Sequence, residues 1–112
     1  MKLLSSNEYK KVEYFLRNYT QFENLTNNMN NAIIEIKDFF NIPLYKELLD
    51  IFYIHRYDYK NRYPTNATLF SYLSEKLNLQ EPTLYVMRKE IVYKSAMIFY
   101  KYGELGGINN VK

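Results

Sequence analysis

Residues 71–92 read SYLSEKLNLQEPTLYVMRKEIV, two segments with apolar residues at helical spacing around a polar break, NLQEP. Positions three and four apart share one face of an α-helix. Leu73 and Leu77 before the break, and Leu84, Met87 and Ile91 after it, therefore form two apolar stripes, with Leu79 between them. Pro82 falls in the first turn of the second segment, where its missing amide proton costs nothing. The stretch predicts two helices joined by a short turn. It decides the fold class, because the rest of the chain follows the same pattern and carries no β-hairpin signal.

Upstream, the loop KNRYPTNA (60–67) offers Thr65 or Asn66 as the cap of a helix over Thr68–Leu77, with Leu69, Leu73 and Leu77 facing inward. Before it, PLYKELLDIFYIHRYDY (43–59) predicts one helix with Leu44, Leu48, Ile51, Phe52 and His55 broadly on one face and a basic C-terminal end. A helix from about Gln21 to Phe40 is predicted by Phe22, Leu25, Met29, Ile33, Ile36 and Phe40, near a heptad repeat, with poor helix formers in NNMNN fraying its middle. The first helix starts near SSNE (5–8), where Ser5 or Ser6 can cap, and runs to about Tyr19 with Tyr9, Val12, Phe15, Leu16 and Tyr19 on the same side. The last extends from Pro82 to about Tyr102, stops at Gly103, and leaves a loose tail. The expected fold is all-α with about five helices in a single domain. Residues 1–42 make a helical arm or hairpin, 43–103 a trihelical helix-turn-helix unit, and 104–112 a flexible tail.

Composition narrows the function classes. The chain of 112 residues has no cysteine, which excludes disulfides, thiolate metal sites and thiol nucleophiles. Its apolar runs are short and MKLLSSNEYKK turns polar at once, so no membrane span or signal peptide is expected. Residues 1–50 carry six Lys/Arg against seven Asp/Glu, net −1, while 51–112 carry nine against five, net +4. A polyanion would meet the second half. His55, the single histidine, has no ligand cluster around it, and Glu13, Glu35, Asp38 and Asp50 are spaced like the polar faces of helices. With no phosphate loop, serine elbow or carboxylate pair, neither enzyme activity, a cofactor, a metal nor a catalytic residue is expected. Tyr93, Phe99, Tyr100 and Tyr102 with Ile98 read first as packing on the N-terminal helices and second as a docking surface.

In a helix-turn-helix the second helix enters the major groove with its N-terminal half at the base edges. The outer face here holds Thr83, Tyr85, Val86, Arg88 and Lys89. Thr83, Tyr85, Val86 and Lys89 are the expected base contacts; Arg88, together with Arg56, Lys60 and Arg62 from the preceding helix end and loop, is expected on phosphates.

At Leu73-Ser74, Leu77, Leu79, Gln80 and TLYVMRKEIV (83–92) the chain resembles the sigma-factor region-4-like helix-turn-helix of phage late transcription regulators of the ArpU/RinA/LtrC group. LLDIFYIHRYDY (48–59) is similar to the helix before that motif, and VEYFLRNYTQFENL (12–25) to the family's opening helices. Gln80 stands at the recognition-helix cap, where serine is common, and adds a phosphate contact through its amide; Val86 stands where a basic residue is common. The resemblance implies a DNA-binding transcriptional regulator of phage or prophage late genes, an activator, in the cytoplasm of a bacterial host. Its partner would be double-stranded promoter or operator DNA, with RNA polymerase or a homodimer as further partners. The alternative, favoured by Glu81 and Val86, is a small helical inhibitor or adaptor that binds a regulator or polymerase and does not read DNA.

Overall fold

The computed structural model describes residues 3–19 and 26–105, the side chains of Tyr19, Tyr57 and Asp58 excepted. α1 (Ser6–Tyr19) opens on a reciprocal cap: Ser5 Oγ accepts the Glu8 amide at 3.1 Å, and Glu8 Oε1 accepts the Ser5 amide at 2.9 Å. That exchange satisfies donors a helix start otherwise leaves unpaired. α2 (Asn27–Phe39) is capped by Thr26, whose hydroxyl accepts the Met29 amide at 3.2 Å. NNMNN is therefore the beginning of α2 and not its frayed middle, which suits asparagine's preference for helix starts. The expected positions Phe22 and Leu25 lie outside the described residues.

The predicted rod over 43–59 is interrupted. α3 (Pro43–Leu49) passes into a π-helical turn, Asp50–Ile54, and a short α4 (Arg56–Tyr59) follows His55. The His55 amide reaches back five residues to the Asp50 carbonyl at 2.7 Å. The turn carries three successive residues, Ile51, Phe52 and Tyr53, into the core. α5 (Asn66–Leu77) starts at Thr65 with a second reciprocal cap, Thr65 and Thr68 exchanging side-chain and amide hydrogen bonds. It ends at Asn78, in the left-handed conformation with φ 53° and ψ 45°. Ser74 ties off the connection, its hydroxyl donating to the Leu79 carbonyl and its own carbonyl accepting the Leu79 amide. α6 (Glu81–Lys101) begins from Gln80, whose carbonyl accepts the Thr83 and Leu84 amides, and the chain leaves it through Gly103 at φ +79°.

The molecule is all-helical, and the described residues contain no strand. α6 is its axis: α1, α2, α3 and α5 all pack against it. The rings of Phe15 and Phe99 meet at 5.2 Å, Tyr9 and Tyr93 at 6.3 Å, and Phe52 and Phe70 at 5.2 Å, so one aromatic-rich core joins N-terminal and C-terminal helices. Each fully buried side chain of this kind stabilises the fold by about 1.5–3 kcal/mol. The first two helices are thus part of the body and do not stand off as an arm. The late aromatic series packs on them as expected: Tyr100 hydrogen-bonds Glu8, and the Tyr102 hydroxyl donates to Glu35 at 2.8 Å. The tail begins later than predicted. Leu105 is fully buried and the Glu104 amide donates to the Phe99 carbonyl at 2.9 Å, leaving 106–112 outside the described residues. No described helix is long and apolar enough to cross a membrane.

Candidate nucleic-acid interface

The two halves of α6 differ in their surroundings. Up to Glu90 most of its residues are exposed: Glu81, Pro82, Thr83, Tyr85, Val86, Lys89 and Glu90, with only Leu84 and Met87 buried. From Ile91 onward the helix is embedded, and only Met97 and Lys101 are exposed. This follows from the sequence. The first half carries one apolar stripe, which covers α5, whereas the second half carries apolar residues all round and is wrapped by α1 and α2. The result is a helix anchored at its C-terminal end with its first turns presented outward. Asn78 makes that presentation by reversing the chain within the connection of residues 78–80, since a left-handed residue redirects the backbone where only asparagine, aspartate or glycine sits comfortably.

Four of the expected base contacts share the exposed half. Thr83, Val86 and Lys89 are open to solvent. Tyr85 is 47% exposed, yet its ring lies 4.1 Å from that of Phe70, which holds it in place. The Lys89 ammonium stands over the Tyr93 ring at 5.6 Å. Gln80 is the N-cap of α6 and exposed, but its side chain makes no capping hydrogen bond.

Two of the expected phosphate contacts are engaged within the fold. Arg88 turns inward: its guanidinium lies 5.4 Å from the Phe70 ring centre and 5.8 Å from that of Tyr85, within electrostatic reach of Tyr9 and Tyr53. The reason is a polar cluster between α1, the π-helical turn and α6. Glu13 accepts the Tyr53 hydroxyl at 2.8 Å and faces Arg17 at 3.6 Å. Burial works to lower the Arg88 pKa, but Tyr53, Tyr9 and Glu13 outweigh it and hold the group charged. Burial first, then Glu13, pushes the Tyr53 hydroxyl well above its usual range. Arg56 is likewise engaged within the fold, donating from Nη2 to the Tyr63 carbonyl at 2.8 Å. Burial and then Arg17 lower its pKa. Lys60 and Arg62 are exposed on the loop before α5, as a phosphate contact requires.

The helical periodicity does not show what flanks the exposed half of α6. Phe39, Ile42 and Val86 are exposed and line a groove of about 650 Å³ together with Phe40, Tyr45 and Tyr93. Val86 and Lys89 belong both to this groove and to the outward face. The adjacent pair Phe39-Phe40 was the available signal: a single stripe can bury one of two neighbouring rings, and here Phe40 is buried while Phe39 is left out. His55, directly after the π-helical turn, is exposed, with Nδ1 2.5 Å from Asp50 Oδ1. The five-residue spacing of that pair becomes a contact across the π-helical turn. Among the described residues no group of three or more His, Cys, Asp or Glu is arranged to hold a metal ion. Compared with known protein families, curated proteins and solved structures, the chain matches none.

Proposed function

We propose that this protein is a small DNA-binding regulator that reads duplex DNA with the first turns of α6, acting on the late genes of a phage or prophage as its resemblance to that regulator group implies. One observation carries the reading: α6 is embedded from Ile91 onward, and its first turns project with Thr83, Tyr85, Val86 and Lys89 outward after a short turn through a left-handed Asn78. A helix held this way can enter a major groove, whereas one covered on all sides cannot. Lys89, an expected base contact, is the single cation among the exposed residues of these first turns, so cationic contact with the backbone depends on Lys60 and Arg62 nearer the start of α5.

Equilibrium binding across a salt series tests the proposal. Arg62→Ala weakens binding to all sequences alike and flattens the slope of log affinity against log salt by about 0.9. Lys89→Ala and Tyr85→Ala cost ~1–3 kcal/mol on the preferred site and relax it at one position. Unchanged slopes and preferences in all three variants would remove the basis for the reading.

A second reading has its own observation. Glu81 and Glu90 flank the exposed half of α6, and the apolar groove lies directly beside it. Both features suit a protein partner better than a polyanion. A chain that retains no DNA fragment at low salt, yet forms a defined complex with a protein from the same genome, would be an adaptor or inhibitor.

A further inference from the structure

The geometry points to a second binding surface: the groove between the C-terminal end of α2 and the middle of α6 takes one face of an acidic amphipathic helix from another protein. In doing so the bound helix masks the DNA-reading turns. Three features select that occupant. Phe39, Ile42 and Val86 are 49%, 57% and 58% exposed around more buried rings, an apolar patch rimmed by charge of the kind that marks protein contact. The wall supplied by α6 runs from Val86 to Lys94, about 12 Å at 1.5 Å per residue, which matches two turns of a helix laying side chains at i, i+3 and i+7 into it. No strand among the described residues offers an edge for an extended peptide.

Charge sets the chemistry of the partner's flanks. Lys89 and Lys94 stand on the rim, the Lys94 ammonium 4.4 Å from the Phe39 ring centre. The one carboxylate of the lining, Glu90, accepts the Tyr45 hydroxyl at 2.6 Å, which leaves the two lysines in excess around the groove. A helix whose apolar face is bordered by aspartate or glutamate therefore finds cations at the rim, and a lysine-bordered helix meets them as like charges. Val86 and Lys89 serve both surfaces, so helix and DNA exclude one another. That exclusion rests on the DNA-binding reading above; the docking does not.

A displayed library of randomised 14-residue helical peptides, panned on the whole protein without DNA, tests the docking. Enriched peptides are expected to carry apolar residues at i, i+3 and i+7 with acidic neighbours, to bind at least tenfold more weakly to Ile42→Glu, and to lose similar affinity when their acids are changed to lysine. No enrichment, a basic consensus, or binding indifferent to Ile42→Glu would overturn it. So would self-association of the protein in sedimentation that Ile42→Glu abolishes, because a second copy would then be the occupant. The best peptide is next titrated into a protein–DNA complex. Displacement of the duplex supports masking, and a stable ternary complex overturns it. Protein that binds the peptide and never bound DNA refutes the reading of function and with it the masking, while the docking stands.

Discussion

Arg88 shows how one side chain can be placed on the correct helix and the wrong face. Its neighbours in sequence, Met87 and Lys89, are buried and exposed, so at 100° per residue its Cα lies at the boundary. A long side chain there goes where partners are, and Tyr9, Glu13 and Tyr53 lie inward, contributed by α1 and the π-helical turn. No local pattern announces such a cluster. Arg88→Gln is expected to lower thermal stability while leaving the salt slope of DNA binding unchanged, the reverse of Arg62→Ala; melting curves and the salt series together check it. Tyr45 offers a pH test. Its hydroxyl is pushed up to about 12, first by its hydrogen bond to Glu90 and then by burial. A folded-state pKa above the unfolded value, about 10, means that the contribution is complete below pH 10 and is lost as pH rises through about 12. Tyr45→Phe should flatten part of the decline in melting temperature over that range. Leu105 falls in the predicted tail, because glycines surround it on both sides in GELGG. Being fully buried, its replacement by alanine should cost about 2–5 kcal/mol in a denaturant titration.

The helices that could be read most closely are those with their own punctuation. Thr65, Pro82 and Gly103 mark the ends of α5 and α6 by local chemistry, and the structure uses all three as expected. The rod over 43–59 could not be read, because a π-helical turn is imposed by packing. Carrying Ile51, Phe52 and Tyr53 inward together requires the long-range partners of those rings, among them Phe70 and the carboxylate of Glu13. The same limit hid the groove, whose two walls are about fifty residues apart in sequence and meet only in the folded chain. The connection between α5 and α6 gives a direct test at this level. Asn78→Gly keeps the left-handed backbone and should be close to neutral, whereas Asn78→Ala should cost on the order of 1 kcal/mol and soften the aim of α6, read as a lower melting temperature with weaker DNA binding.

Considered whole, the protein joins its halves through one core and divides its tasks along α6. The embedded end is clamped by α1 and α2, with Lys101 paired to Glu35 at 2.8 Å and the Thr26 hydroxyl donating to Glu104 at 3.3 Å. The projecting end carries the proposed recognition surface. The all-helical class was legible throughout the sequence, while the merging of the N-terminal helices with the later ones depended on contacts such as Phe15 with Phe99 that no local spacing encodes. The proposed function turns on whether the first turns of α6 read base sequence. Selection of bound duplexes from a randomised pool, carried out in parallel with the unaltered protein, Lys89→Ala and Tyr85→Ala, answers that question. A defined motif is expected for the unaltered protein, with preference lost at one position in each variant. Bound duplexes with no motif, or the same motif at undiminished strength with Lys89→Ala and Tyr85→Ala, would contradict it.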